Sequence, residues 1–443
     1  MTNNTIYALS TVNGKSGVAV IRISGDNAIN AIKKMTDIDT TTISPRKAYF
    51  CNLSDLQKNL LDKALVLYFK SPCSFTGEDI VEFQIHGSKA VISSVLDCLS
   101  SLDDFRLAEA GEFSKRSFYN NKMDLTEAEG LADLIDAETA EQQKYALRQI
   151  EGNLKGLYEG WRENLLTIMS HIEAYIDFPD EELPDDIIDN MQNTVFKIKE
   201  DINNHLSGNN IGERLRDGFR VAIIGEPNSG KSSLVNTIVG REAVIVSDIA
   251  GTTRDAIDIH LNVRGYPIII TDTAGLHNTN EVIEKKGIEI AYKKANEADF
   301  VICLFDAQKE IPSEFSNISK DKSIYVANKC DKISKEDIKH LNEKGFITIS
   351  AKNNQGIDNI FKLIADKISE EFSSSSGFLI TRQRYREALK NTVDCLENFN
   401  FNKDIELSAE DLRLACREIG KITGRIEVNE ILDKIFGSFC IGK

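Results

Sequence analysis

The chain has 443 residues, 41% of them hydrophobic and 28% charged, and a formal net charge of −16. That length is too great for one hydrophobic core and suggests about three domains. The acidic balance argues against a protein that coats nucleic acid without specificity, which would need clustered Lys and Arg. No apolar run is long enough to cross a membrane, and the start, Met1-Thr2-Asn3-Asn4, has no basic or apolar region of the kind a signal peptide needs. The eight cysteines are scattered and form no C-x-x-C pair, which points to a reducing cytoplasm and against a disulfide or zinc framework.

Taken in chain order, Val18–Ile23, Ala64–Phe69 and Ile80–Ile85 read as strands rich in β-branched residues, and Ser88–Leu102 as an amphipathic helix. This first region is an α/β domain without a phosphate-loop glycine pattern. From Leu125 the pattern is helical. Leu147, Ile150, Leu154, Leu157, Trp161, Leu165, Ile168 and Ile172 recur every three or four positions and predict one stripe of a long helix, packed against other helices. Pro179 and the acidic stretch Asp180–Asp186 interrupt it. Ser207–Asn210 and Ser373–Gly377 read as linkers around a region of alternating strands and helices. Beyond the second linker the chain is helical again, with Ser408-x-x-Asp411 expected to open one helix as a capping box. The predicted architecture is α/β plus α: an N-terminal α/β domain (1–118), a helical domain split into 119–213 and 372–443, and an inserted Ras-like P-loop domain at 214–371.

Four motifs at predicted strands, with a switch segment between the first two, place a nucleotide in that insert. Gly225-Glu226-Pro227-Asn228-Ser229-Gly230-Lys231-Ser232 fits G-x-x-x-x-G-K-[ST], between the apolar run Arg220–Ile224 and a helix beginning near Ser233. Its glycines let backbone N–H groups turn onto phosphate oxygens, Lys231 adds a charge at the β/γ-phosphates, and Ser232 offers a hydroxyl to Mg²⁺. Thr252-Thr253-Arg254-Asp255 is a switch segment, with Thr253 assigned to Mg²⁺. Asp272-Thr273-Ala274-Gly275 follows the strand Ile268–Ile270; Asp272 can hold Mg²⁺ through water, and the Gly275 N–H can meet the γ-phosphate. Asn328-Lys329-Cys330-Asp331 follows the strand Ser323–Ala327 and decides the base: a carboxylate at Asp331 pairs with guanine N1–H and the 2-amino group, which adenine cannot match. Ser350-Ala351-Lys352, after the strand Phe346–Ile349, can close over the base. Four motifs in this order, each at a predicted strand, identify a GTP-hydrolysing domain. It resembles the translation-factor class of small GTPases. The residue after Gly275 is Leu276, where Ras-like enzymes carry a water-orienting glutamine, so hydrolysis is very slow or another group orients the water.

The P-loop Asn228, the segment Ser247-Asp248-Ile249-Ala250-Gly251-Thr252-Thr253 and Leu276 resemble the pattern of the MnmE family of tRNA-modification GTPases. So do Gly17–Gly25, Phe75-Thr76-Gly77-Glu78-Asp79, His86-Gly87, Gly111-Glu112-Phe113-Ser114-Lys115-Arg116, Asn121–Leu125 and the terminal Cys440-Ile441-Gly442-Lys443. The resemblance covers the whole chain. It implies a potassium ion in place of an arginine finger, held by the Asn228 side chain and by backbone oxygens of Ser247, Ile249 and Thr252. It also implies water orientation by Glu284, which by itself reads as part of an ordinary charged helix start.

The resemblance further implies a homodimer formed through the N-terminal domain. That domain would bind a tetrahydrofolate derivative (5-formyl or 5,10-methylene) through Arg22, Glu82, Lys122 and Lys443; without the family, Arg22 and Glu82 read equally well as a cross-strand ion pair. The implied reaction installs an aminomethyl or carboxymethylaminomethyl group at C5 of the wobble uridine of certain tRNAs, with an MnmG-type FAD- and NADH-dependent partner in a heterotetramer. Cys440 is open to three readings: a C-terminal prenylation site, for which the terminal Lys is wrong, a buried structural thiol, or the functional thiol the family implies. The alternative is a ribosome-assembly GTPase with similar potassium chemistry, which would carry a basic RNA-binding domain beside the G domain.

Overall fold

The computed structural model describes residues 4–177, 185–208, 210–240, 258–271, 294–373, 378–400, 405–426 and 429–442. The chain divides into two compact units, Met1–Ala132 with Gln149–Glu163 and Cys416–Lys443, and Asp133–Arg148 with Asn164–Ala415.

The first unit holds strands β1 (Thr5–Leu9), β2 (Ser16–Ser24), β3 (Tyr49–Ser54), β4 (Leu60–Phe69), β5 (Ile80–Gly87) and β6 (Phe105–Leu107), in the order β3-β4-β5-β2-β1-β6. All pairs are antiparallel except β1 with β6. Side chains alternate between faces along each strand, and the register sorts them. Val66, Phe83 and Ile21 stand side by side and are fully buried, against α1 (Ala28–Met35) and α2 (Lys89–Ser100), which contribute Ile32, Met35, Val95 and Leu99. Ser88 caps α2 by accepting from the Val91 N–H, so the predicted helix over 88–102 is found with its cap. The opposite face, with Phe50, Leu65 and Gln84 in one row and Leu67, Glu82 and Arg22 in the next, is a different surface: Phe50 is 71% exposed. Helix α3 (Glu112–Tyr119) starts at Gly111, whose φ of 64° and closeness to Phe436 O, 2.3 Å from where a Cβ would stand, admit only glycine.

In the second unit, β7 (Phe219–Ile224), β8 (Asp258–Val263), β9 (Tyr266–Thr271), β10 (Phe300–Asp306), β11 (Ser323–Asn328) and β12 (Ile347–Thr348) form a sheet in the order β12-β11-β10-β7-β9-β8. It is parallel apart from the β8–β9 pair. Its strands read as near-continuous apolar runs because both faces are covered. One face packs Val221, Ile223, Ile302 and Val326 against Leu234, Ile238, Ile360 and Ile364; the other packs Ala222, Ile224, Cys303 and Phe305 among themselves and with Phe315. Among the described residues, the helices around it include α9 (Lys231–Val239), α10 (Lys335–Glu343) and α11 (Ile357–Ser373). Ile211 and Leu215 of α8 (Ile211–Asp217) join the same core.

The other described helices are α4 (Leu125–Asp136), α5 (Ala140–Ile150), α6 (Asn153–Asp177), α7 (Asp185–Leu206), α12 (Gln383–Asn398), α13 (Ile405–Thr423) and α14 (Asn429–Gly437). Two expectations are corrected here. The stripe from Leu147 to Ile172 is not one helix: it breaks at Gly152, whose φ of 81° is left-handed, and Leu147 is exposed while Leu154, Trp161, Leu165, Ile168 and Ile172 are buried. Ser408 opens no helix either. It lies inside α13, fully buried, and its hydroxyl donates to Asn400 O at 2.8 Å rather than serving as a cap.

Candidate nucleotide site

The P-loop, Asn328–Asp331 and Ser350–Lys352 follow the C-terminal ends of parallel strands, where open α/β sheets bind ligands. β7 ends at Ile224 and the loop Gly225–Gly230 leads into α9 at Lys231. Gly225 passes so close to the neighbouring strand that a Cβ would stand 2.1 Å from Leu304 O, and one on Gly230, at φ 100°, would stand 2.2 Å from the Asn328 side-chain nitrogen. Asn228 also has a left-handed φ, 64°, and its side chain is exposed. The Lys231 ammonium donates to Gly225 O at 2.7 Å and Glu226 O at 3.0 Å. Burial pushes its pKa down, and among the described residues it has no carboxylate partner to offset this. Ser229 is buried, and its Oγ has no hydrogen-bond partner among the described residues. A helix N-terminus with close-packed glycines, a desolvated lysine and an unspent hydroxyl is suited to phosphate. Ser232 and Ser233, on the first turn of α9, are exposed.

The guanine motif is tied to this loop by one side chain. Asn328 is 2% exposed; its Nδ2 donates to Ser229 O at 2.7 Å and its Oδ1 accepts from the Ala351 N–H at 3.0 Å. It therefore joins the P-loop to the Ser350-Ala351-Lys352 loop. Ser350, fully buried, donates to Asp331 Oδ1 at 2.6 Å, and that hydrogen bond is the largest influence holding the Asp331 carboxyl below its usual range. Asp331 itself is exposed. Lys329, at φ 65°, makes an ion pair with Asp306 at 2.7 Å. Burial opposes ionisation of Asp306, but Lys329 and the Gln308 N–H outweigh it and the carboxyl titrates low. Asp306 ends β10 and was not singled out in the sequence; the apolar run Phe300–Phe305 followed by an aspartate was the available signal. Thr237 of α9 adds a second tie to Ala351, donating to its carbonyl at 3.0 Å.

Asn228, Ser229, Gly230, Lys231, Ser232, Ser233, Asn328, Lys329, Asp331, Ser350, Ala351 and Lys352 thus all follow the C-terminal ends of strands of one sheet. Ser247, Asp248, Ile249, Ala250, Gly251, Thr252, Thr253, Asp272, Thr273, Ala274, Gly275, Leu276 and Glu284 lie outside the described residues, as does Lys443.

A second group lies on the open sheet face of the first unit. Arg22 and Glu82 are direct cross-strand partners, paired at 2.8 Å. The guanidinium also stands over the rings of Phe75 and Phe113, at 5.6 and 5.9 Å. Lys122 is exposed, and its stem lies against Gly77, two residues from Phe75. The tail is docked beside β1: Ile441 bridges Ala110, Ser10 Oγ donates to Gly442 O at 3.0 Å, and Gly442, at φ 100°, presses on Leu9 O. Cys440 is exposed, which removes the buried structural reading of that thiol. One further acid on strand β4, Asp62, holds His86 at both its backbone N–H (2.7 Å) and its ring Nδ1 (2.8 Å).

Two family models match. The one described as the MnmE helical domain spans residues 125–440, and the one described as the GTP-binding protein TrmE N-terminus spans 5–122. Curated relatives named tRNA modification GTPase MnmE match over full length. The one from Paramagnetospirillum magneticum is 44% identical over 443 residues, all of both chains. That from Rickettsia prowazekii is 46% identical over 446 residues, covering 99% of this chain and 100% of the relative. That from Wolbachia sp. subsp. Drosophila simulans is 45% identical, covering 100% and 99%. With the P-loop and guanine motifs assembled on a Ras-like sheet and relatives of this identity along its whole length, the chain belongs to the MnmE family.

Proposed function

We infer that this GTP hydrolase of the MnmE family acts in tRNA modification, hydrolysing GTP with potassium at the place of an arginine finger. With an MnmG-type FAD- and NADH-dependent partner it installs an aminomethyl or carboxymethylaminomethyl group at C5 of the wobble uridine. The observation that carries the GTP reading is the latch at Asn328: one buried amide holds the P-loop and the base loop together, and Ser350 presents Asp331 as an ionised acceptor. Guanine offers two donors to that carboxylate and adenine none that match, so the pocket selects GTP.

The chain's own groups suit the steps assigned to them. Lys231 and the N–H groups at the start of α9 bind phosphate. Ser232 and Thr253 hold Mg²⁺, with Asp272 acting through water. Asn228 and the backbone oxygens of Ser247, Ile249 and Thr252 hold the potassium ion. Potassium, when bound, supplies positive charge against the charge that develops between the phosphates. Glu284 orients the water in place of the glutamine that Leu276 displaces. The exposed, left-handed Asn228 supports the potassium reading, since its side chain is free to turn to a ligand.

In the first unit, Arg22, Glu82, Lys122 and Lys443 hold a tetrahydrofolate derivative; the guanidinium set over two aromatic rings beside a carboxylate supports a flat, donor-bearing ligand. The folate carrier supplies the one-carbon unit. The open apolar face, with Phe50 71%, Val18 55% and Leu65 40% exposed, supports a homodimer through this region, because such surfaces are usually covered. Domain limits at 1–118, 119–213, 214–371 and 372–443 fit the reading, as does a cytoplasmic location.

The test of the hydrolytic part is turnover of GTP in potassium against sodium chloride at equal ionic strength. Potassium should stimulate at least tenfold, and Glu284→Ala should remove most of the potassium-dependent rate while leaving GTP affinity unchanged. Equal rates in the two salts would remove the potassium site.

A further inference from the structure

Strand β10 carries none of the nucleotide motifs, yet the segment that ends it touches two of them. Asp306 is the last residue of β10 and stands in register with Asn328 at the end of β11. Parallel pairing sets the next residue, Lys329, beside it, and the Lys329 ammonium donates to Asp306 Oδ2 at 2.7 Å. Three residues on, Lys309 pairs with Glu226 of the P-loop at 3.6 Å. The two ties differ in weight. Lys309 and Glu226 are both exposed, and a pair of that kind contributes little. The Lys329 and Asp306 side chains are only 27% and 12% exposed and meet at charge-assisted hydrogen-bond distance, so this tie is the stronger.

The Asp306 carboxylate is aimed. Its Oδ1 accepts from the Gln308 N–H at 3.1 Å, which fixes the plane of the group and leaves Oδ2 for Lys329. Lys329 has a left-handed backbone, φ 65° and ψ 36°, an unfavourable bend for a residue with a Cβ. Backbone hydrogen bonds hold that bend, from the Cys330 N–H to Ile349 O at 3.0 Å and from the Lys332 N–H to Lys329 O at 2.9 Å. They do not reach the side chain, whose ammonium has Asp306 as its hydrogen-bond partner among the described residues. A lysine stem loses much rotamer freedom when it is ordered. Asp306 orders this one within the folded chain itself.

Lys329 stands two residues before Asp331, at the start of the turn that carries that carboxylate. A base held by Asp331 therefore lies within reach of the lysine's methylene stem. Such stems lie along flat apolar surfaces while the charged head stays on a polar partner. We propose that Asp306 is a positioning residue for the guanine nucleotide: it anchors the Lys329 head so that the stem forms a preset wall against the face of the base. Preorganisation of this kind raises affinity by removing an ordering cost from binding. The proposal rests on the guanine reading of Asp331 and adds a residue that lies outside every motif.

The experiment is a fluorescent GDP titration, together with GTP turnover, on the full chain and on Asp306→Ala, Asp306→Asn, Lys329→Met and the double variant Asp306→Ala/Lys329→Met. Each Asp306 variant should bind GDP about tenfold more weakly, the value of one charge-assisted hydrogen bond. KM for GTP should rise by about the same factor with kcat unchanged, because the wall serves ground state and transition state alike. Lys329→Met keeps an unbranched stem but offers no charge for Asp306 to hold, so adding Asp306→Ala to it should cost less than about twofold. If Asp306 only stabilises the fold, its variants will unfold at a lower temperature and bind GDP as wild type does, and the proposal fails. An equal loss from Asp306→Ala in the wild-type and Lys329→Met backgrounds also overturns it, because Asp306 would then act by a route other than Lys329. Asparagine matches aspartate in shape, so that variant carries the test if the alanine variant does not fold. A wild-type chain without measurable affinity for GDP would overturn the guanine reading itself.

Discussion

Replacing Asn328 by alanine tests whether the P-loop and the base loop are held as one unit. The amide makes two hydrogen bonds, to Ser229 O at 2.7 Å and from the Ala351 N–H at 3.0 Å, at a site 2% exposed. Alanine removes both and leaves a buried acceptor and a buried donor unmatched, at about 1–3 kcal/mol each. Part of that cost falls on the nucleotide-free protein, where the loops can relax toward water. The remainder, about 1.5–3 kcal/mol, falls on binding and corresponds to a roughly 10- to 100-fold loss of GTP affinity. Asn328→Asp is the companion: it keeps an acceptor for Ala351 but sets a carboxylate against Ser229 O, and should do no better than alanine. A fluorescent guanine nucleotide titration measures affinity, and thermal unfolding with and without GDP measures the stability share. If Asn328→Ala binds GDP within twofold of wild type and unfolds at the same temperature, the latch carries no weight.

Two further outcomes follow from single residues. Gly442→Ala forces a Cβ to within 2.3 Å of Leu9 O at a φ of 100°, so the C-terminal tail should lift from β1. Carboxypeptidase should then trim the tail faster and tRNA modification should fail with GTP turnover retained; modification at the wild-type level would show that the docked tail is dispensable. Burial raises the Asp124 carboxyl from 3.8 to about 6. The folded state therefore keeps this proton where the unfolded chain has lost it, and the group's contribution to stability falls as pH rises from about 4 to about 6 and is constant above that. At ~1.4 kcal/mol per pH unit the fall is about 3 kcal/mol. Asp124→Asn should thus gain on wild type between pH 4.5 and pH 7 in urea midpoint; an equal difference at both values would mean the carboxyl titrates normally.

The nucleotide site was the most legible part of the chain because its code is local. A phosphate loop needs its glycines, lysine and hydroxyl within eight consecutive positions and a strand and helix on either side, and β7 and α9 flank it as expected. The contacts that make it a site were not legible. Asn328 lies 99 positions from Ser229 and 23 from Ala351, and only the parallel pairing of β7, β10 and β11 brings these together. The same holds for Lys329 and Asp306. On the N-terminal sheet, alternation along β2 and β5 made the Arg22–Glu82 pair foreseeable, and the pair is present. Helix ends were the weak point. Apolar spacing continues through Gly152, but a left-handed glycine ends α5, and Ser408 matches a capping pattern while its hydroxyl is spent on Asn400. In both places a local pattern was overruled by a backbone angle or a contact that spacing does not encode.

If GTP hydrolysis by this chain serves wobble-uridine modification, nucleoside mass spectrometry of tRNA from cells lacking the protein will show it. That tRNA should lack the 5-aminomethyl-type wobble uridines, restored by the wild-type chain and not by Asp272→Asn. An unchanged nucleoside profile in the deleted cells would contradict it and leave a GTPase whose substrate lies elsewhere.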